Sequence, residues 1–420
     1  VREISVGKTK IAIYGGLGTV GGNCIVVKSP SSKIMLDQGI NFQQLRRFYG
    51  AAVQPDSVEE LREMGVLPPR EAYSGVEEVY LTHLHLDHAG SLNVPGGVPT
   101  YLPSVEVAEA LSHSWWYGWK QQLLPPTLSF REFREVGESR RLRAAQVSHS
   151  AYPSYAFRVD ADDASILYTG DLRVVPLHRV GGDTLRNLEE LSEGGVDVLV
   201  VEGTNFARRF HYLGVAEFES LLKKILDSYD RRLLFVSTHP ADLESFLAIA
   251  EVLWRYGYAV VLVKDYHAQV VDRMISLADY EPEGELVLAP SRAAVKHIPR
   301  KIGVVAFEDL RDRRCAVAIP PYAVKEIKRV ASRLGEDTRG LLHVLVVSET
   351  AEEEWVFEEK KVESWVEVLG VTGYRLHVSG HYHPHEFREV VRVARPKRLV
   401  PVHTRTPETL LALFEKYAQS

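Results

Sequence analysis

The stretch Leu81 to Gly90, LTHLHLDHAG, places three imidazoles and a carboxylate, His83, His85, Asp87 and His88, within six positions behind an apolar run. Residues two apart on a strand share a face, so His83 and His85 can aim at one point. Asp87 and His88 fall where the strand gives way to a loop or a first helical turn, and can aim at another. A lone histidine is usually a hydrogen-bonded core or surface residue. Four titratable groups at the end of a buried strand are different, because leaving each unpaired would cost on the order of several kcal/mol. Metal coordination is the simplest arrangement that satisfies all four.

A pair of metal ions needs more ligands than one motif supplies. His149 in QVSHSAYPS, Asp171 in SILYTGDLR and His403 in RLVPVHT each stand at the end of an apolar strand, and Asp37 in KIMLDQG is a polar ending of the same kind. Singly, each reads as an ordinary loop residue. Together they form an oxygen and nitrogen donor set without thiolates, which suits two zinc or two manganese ions bridged by a carboxylate. Cys24 and Cys315 lie inside the apolar runs NCIVV and CAVAI. They read as small buried hydrophobes, neither a disulfide nor a metal site.

The 420 residues allow two domains, or one core with a large insertion. No window nears the roughly 18 unbroken apolar residues of a membrane span, and the opening VREISVGKTK lacks the layout of a secretory signal. A cytoplasmic enzyme with no membrane partner is expected. A net charge of −6 gives no global attraction for nucleic acid. Arginine groups such as Arg131, Arg134, Arg140, Arg141 and Arg143, or Arg208 and Arg209, therefore count only where they border a site. Five Asn, nine Gln, three Met and two Cys are a small complement of thermolabile side chains, which points to a thermophilic source.

Short strands joined by turn signals fill the first third of the chain: KTKIAIYGG, GNCIVVKS, SKIMLDQG and VEEVYLTH. A helical pattern follows around PSVEVAEALSHSWWYGWKQQLL, then strands at ASILYTGD and VDVLVVEG. From about Phe210, helices such as AEFESLLKKILDSYD and DLESFLAIAEVLWRYG alternate with strands LLFVS, AVVLV, ELVLA and LLHVLVVS, the texture of a parallel sheet flanked by helices. The end, YRLHVSG, FREVVRVA, RLVPVHT and ETLLALFEKYA, repeats strand and helix. Gly16, Gly18 and Gly21 in GLGTVG satisfy a dinucleotide-binding pattern, but that site needs a helix after the glycines. Here two β-branched strands and a turn follow, so the glycines read as a bend and no nucleotide cofactor is expected.

The motif at 83 to 88, with His149 and Asp171 downstream and Asp37 upstream, resembles the metallo-β-lactamase fold, an α/β four-layer αβ/βα sandwich. Glu202 in VLVVEGTNF, His381 in LHVSGHYH and His403 in VPVHT look like motifs A, B and C of its β-CASP nucleases. In these a second, Rossmann-like domain interrupts the sandwich. The resemblance divides the chain into residues 1–208 and 371–420 as the metallo-β-lactamase domain, with 209–370 as the β-CASP insertion. It implies that His83, His85 and His149 hold one zinc, that Asp87, His88 and His403 hold the other, and that Asp171 bridges them. Asp37 resembles the carboxylate that orients a ligand. His381 paired with Glu202 resembles the general acid, acting with Asp87 in catalysis, and His377 and Ser379 resemble contacts to the scissile phosphate.

Those residue types suit phosphodiester hydrolysis. Two metals can acidify a shared water and draw off phosphoryl charge, and a histidine backed by a carboxylate can protonate the leaving oxygen. Histidine at motif C is similar to the RNA-processing groups rather than the DNA-repair group. The HVSGH spacing resembles RNase J more than the polyadenylation-factor endonucleases. The resemblance implies a ribonuclease cleaving single-stranded RNA from 5′ to 3′ through a di-zinc-activated hydroxide, and it allows a homodimer. An endoribonuclease or a non-nuclease hydrolase of the same fold is the alternative. Arg208, Arg209 and Tyr212 are candidates for the RNA-binding wall. Tyr382, His383, Pro384 and His385 after SGH depart from the family, which usually has a small residue there.

Overall fold

The computed structural model describes residues 1–50, 52–92, 98–113, 129–207, 212–290, 298–348 and 356–418. Among them are three sheets. The first contains β1 (Arg2–Val6), β2 (Thr9–Gly15), β3 (Cys24–Lys28), β4 (Lys33–Leu36), β5 (Glu78–Tyr80), β6 (Thr100–Leu102) and β7 (Arg134–Glu135), side by side in chain order. Pairing is antiparallel from β1 to β4 and parallel from β4 to β7. SPSS closes the antiparallel step between β3 and β4, as its turn residues predict. The second sheet holds β8 (Arg143–Val147), β9 (Ser154–Asp160), β10 (Ser165–Tyr168) and β11 (Val196–Glu202), completed by the chain's last strand, β19 (Pro396–Val402), beside β11.

The two sheets face one another because their strands alternate. Ile11, Ile13, Ile25, Val27, Ile34 and Leu36 point inward from the first, against Phe157, Val159, Ile166, Val198, Val200 and Val400 of the second. Helices cover the outer faces. Leu188 and Leu191 of helix Thr184–Leu191 and Phe387, Val390 and Val391 of helix Phe387–Ala394 pack on Leu167, Leu199 and Val201. Val107, Ala108 and Leu111 of helix Val105–His113 lie in the core outside Val26, Met35 and Val79. That helix accounts for the first part of the helical pattern after Gly90, and residues 114–128 lie outside the described ones. The layers are the expected four-layer α/β sandwich.

The third sheet is wholly parallel: β12 (Leu233–Ser237), β13 (Ala259–Leu262), β14 (Leu286–Leu288), β15 (Gly303–Val304), β16 (Cys315–Ala318), β17 (Leu342–Val347) and β18 (Thr372–His377), in spatial order β15-β14-β13-β16-β12-β17-β18. Cys315 and the CAVAI run form β16 at the centre, where both faces of the sheet are buried, so they carry no alternation. β18 pairs residue for residue with β17, so the third sheet extends to His377, beyond the division drawn at residue 370 from the sequence. Thr372 to Arg375 are exposed, as suits an edge strand that buries little.

Carboxyl-terminal strand ends converge where the sandwich meets the third sheet. Asp37 follows β4, the HLHLDH motif follows β5, Glu202 ends β11, His381 lies past β18 and His403 follows β19. Such ends are the usual ligand-binding margin of parallel α/β sheets. Phe157, fully buried between the sheets and edge-on to Tyr80 at 6.3 Å, is a sensitive probe of this core. Phe157→Ala is expected to cost about 3–5 kcal/mol of stability, measured by chemical denaturation.

Candidate metal centre

Seven of the sequence-selected side chains come together here, all buried. One ligand atom each from His83, His85 and His149 falls within 4.8 Å of the others, and a second group, within the same limit, comprises Asp87, His88, Asp171 and His403. The rings of His83 and His88 lie 4.0 Å apart, so the two groups adjoin.

Four of the five imidazoles commit one nitrogen to a partner outside the ligand groups, while His85 Nδ1 lies 3.2 Å from His149 Nε2. His149 Nδ1–H donates to Gly380 O at 2.6 Å, and His88 Nδ1–H donates to Asp37 Oδ2 at 2.8 Å. His403 Nδ1 pairs with Thr204 Oγ1 at 2.8 Å, and His83 Nδ1 with Thr82 Oγ1 at 3.1 Å. Such bonds fix the tautomer and leave the second nitrogen for the centre. His88 Nε2 lies 3.0 Å from Asp171 Oδ2, and His403 Nε2 lies 2.9 Å from Asp87 Oδ2 and 3.4 Å from Asp171 Oδ2. Asp171 thus stands between the two outer histidines.

The donors fit divalent cations. His83 Nε2 and Asp171 Oδ1 are buried with no hydrogen-bond partner among the described residues, as atoms reserved for an ion would be. Imidazole and carboxylate without thiolate is also the donor chemistry of zinc or manganese. Electrostatics separates the groups. Burial, then the neighbouring histidines, push His83 and His149 well below the ordinary imidazole range. Burial also opposes charge on His88 and His403, but Asp171 and Asp87 outweigh it and raise both. Asp171 is lowered in turn, because the attraction of His403 and His88 exceeds the effect of burial.

Asp37 organises the second group. Its carboxylate accepts from Thr82 N at 2.8 Å, Thr82 Oγ1 at 2.9 Å, Tyr168 OH at 2.6 Å and His88 Nδ1–H. It does so with φ at +59°, in the left-handed region, as His403 does at +50°. Non-glycine residues hold that conformation only where surrounding contacts impose it. The GLGTVG loop has a related role. A strand, not a helix, follows it, and a Cβ on Gly21 would lie 2.9 Å from Asp87 Oδ2. His403 N donates to Gly16 O at 2.6 Å. The glycines therefore let backbone approach both Asp87 and His403.

Glu202 and His381 adjoin these groups. His381 Nδ1–H donates to Glu202 Oε1 at 3.1 Å, and its ring lies 5.1 Å from that of His149 and 5.7 Å from that of His403. Thr204 N–H holds the other oxygen of Glu202 at 2.8 Å. Ser379 Oγ accepts from His381 N at 3.1 Å and from Asn205 Nδ2 at 3.0 Å, so Ser379 braces the loop from within. His377 lies farther out, edge-on to Tyr212 at 4.7 Å. Arg208 and Arg209 lie outside the described residues.

Several contributors escaped the sequence reading. Arg173 Nε donates to Ser379 O at 2.7 Å, and its guanidinium faces Asp242 at 3.5 Å and Glu244 at 3.8 Å, while Glu244 accepts from Ser148 Oγ at 2.7 Å. This buried network ties the segments of His149, Asp171 and His381 to helix Leu243–Arg255. His239, after β12, brings its ring to 5.0 Å from that of His85. The position of Tyr168 in ILYTGD, three before Asp171, and of Arg173, two after it, was the available signal.

Comparison with known proteins agrees with this geometry. The profile described as the Metallo-beta-lactamase superfamily matches residues 17–232, a little over half of the chain. The chain belongs to this superfamily. Among curated relatives, a Ribonuclease J of Pyrococcus abyssi is 22% identical, with 94% of this chain and 89% of that protein covered. A Ribonuclease J of Sinorhizobium meliloti is 25% identical over 79% of this chain and 58% of its own length. One of Helicobacter pylori is 21% identical over 95% and 56%. The chain thus spans little more than half of these two bacterial relatives. A crystal structure of a protein of unknown function from Enterococcus faecalis V583 shares the fold, with a TM-score of 0.70, 20% identity, and 96% and 95% of the two chains covered. The superfamily profile ends before Glu244, His381 and His403, which the structure places beside the matched part.

Two outcomes follow for metal binding. Tyr168→Phe removes one of the bonds to Asp37 and is expected to weaken metal retention roughly tenfold or more, measured by equilibrium dialysis against a chelator. Without an ion, His88 and His403 keep their protons to higher pH than ordinary imidazoles. Loading the second group must expel those protons, so its affinity should fall as pH drops through their raised range. Calorimetry in buffers of different ionisation enthalpy reads the proton release.

Proposed function

We propose that this superfamily member is a metal-dependent ribonuclease that hydrolyses single-stranded RNA from 5′ to 3′, with two zinc ions, or manganese in their place, as cofactors. The carrying observation is that the Glu202–His381 pair shares one pocket with both ligand groups, its histidine 5.1 Å from His149 and 5.7 Å from His403. The relatives named Ribonuclease J, similar along nearly the whole chain, support RNA as the substrate.

In this reading His83, His85 and His149 hold one ion, and Asp87, His88 and His403 the other, with Asp171 between. When bound, two such ions lower the pKa of a shared water towards neutrality and neutralise charge on the phosphoryl oxygens. The chain's own residues manage the leaving group. Glu202 accepts from His381 Nδ1–H and fixes the ring, which leaves Nε2 to deliver a proton to the departing oxygen. Glu202 is itself held by Thr204 N–H, and burial of the pair keeps solvent from competing for that proton. Ser379 and Asn205 fix the height of the His381 loop, and His377 and Ser379 contact the phosphate. The reading uses two units, one from residues 1–208 and the segment after His377, the other from the intervening chain. RNA lies between them.

Metal-loaded protein should release mononucleotides first from 5′-labelled RNA. Internal fragments of fixed length would instead indicate an endonuclease, and turnover of small thioesters or lactams without RNA cleavage would overturn the reading. His381→Ala should retain both ions by elemental analysis yet cleave about a hundredfold more slowly or worse.

A further inference from the structure

Beyond His381 the chain continues with Tyr382, His383, Pro384 and His385. Tyr382 is internal, its hydroxyl donating to Glu202 O at 2.7 Å. The other rings form a row. His383 and His385 stack with centroids 5.5 Å apart and planes only 11° from parallel. His383 is 5.8 Å from Tyr212, which meets His377 edge-on at 4.7 Å. Exposure increases from buried Tyr212 through half-buried His383 to exposed His385, with half-buried His377 on the other side of Tyr212.

This row is held in place. Pro384 opens the short turn Pro384–Glu386, whose Glu386 carboxylate accepts from His383 N at 2.6 Å. Asn205 Nδ2 donates to the carbonyls of His381 at 3.2 Å and Tyr382 at 3.0 Å, which couples the row to the acid. It is not a cation site, because among the described residues neither His383 nor His385 joins a converging ligand group. Core packing does not explain it either, since the outer ring faces solvent. What the row offers is a graded series of flat aromatic faces beginning two residues past the proton donor. Nucleobases of single strands are bound on such faces.

We propose that His383 and His385, backed by Tyr212, form a stacking shelf for the nucleobase beside the scissile bond on the leaving-group side. This rests on the ribonuclease reading above for its substrate. The shelf holds the base, not the phosphate, and so favours single strands, whose bases are available to stack. It sets binding and register, and leaves proton transfer to His381 Nε2.

The test scans a single abasic position along a short RNA, using the full metal-loaded chain. Cleavage is followed, and affinity is read by fluorescence anisotropy in the His381→Ala background. With the parent rings, an abasic site next to the scissile bond should weaken binding about 5- to 100-fold. In His383→Ala/His385→Ala that penalty should disappear while KM for intact RNA rises by a similar factor, with metal content unchanged. His385→Phe, which keeps a flat face, should retain the penalty. An abasic profile that is flat in the parent, or identical in parent and double variant, overturns the shelf. If the parent binds RNA with the position-specific penalty but cleaves none, the ribonuclease reading fails and the shelf stands.

Discussion

Four hydrogen bonds converge on the carboxylate of Asp37, and the arrangement of the centre depends on them. They come from the start of the histidine motif at Thr82, from His88 within it, and from Tyr168 in the opposite sheet. One side chain thereby fixes the distance between the two sheets at the point where the ligands gather. The left-handed backbone at Asp37 is tolerable because these bonds offset it. Apolar packing between the sheets supplies most of the cohesion, but it is not directional. Asp37 turns that cohesion into a defined orientation of His88.

The same economy appears in the glycine loop. A pattern that resembles a phosphate cradle in the sequence serves here to bring backbone against Asp87 and against the strand end that carries His403. Asp87 and His403 are 316 positions apart, yet their side chains meet at 2.9 Å. Closure of this centre therefore requires β19, which follows the third sheet in the chain, to pair with β11, and the parallel register of Glu202 with Val402 sets Glu202 beside the segment that ends in His403.

Much of this was legible in the sequence because the chemistry is dense and its periodicities are clean. Residues two apart in HLHLDH, and carboxylates or imidazoles placed at the ends of apolar runs, mark strand ends with few alternatives. The alternation of helix and strand after residue 210 was equally clear. What escaped were groups whose significance is purely spatial. Arg173, Glu244 and Ser148 look like surface residues in sequence, and only burial and mutual contact distinguish them. Tyr168 reads as one more aromatic in a core strand until its hydroxyl is seen on Asp37. The third sheet reaches past the division drawn at residue 370 because YRLHV, legible as a strand, does not itself show which sheet it joins.

The bonds from His149 to Gly380 O and from Arg173 to Ser379 O join consecutive peptide units of one loop to two different ligand segments. Swinging the third sheet away from the sandwich would instead separate the Arg173 guanidinium from Asp242 and Glu244, and Ser148 from Glu244, at about 1.5–3 kcal/mol for each charged hydrogen bond lost. Jaw-like opening is thus penalised, and the loop that carries His381 stays clamped between the segments of His149 and Asp171.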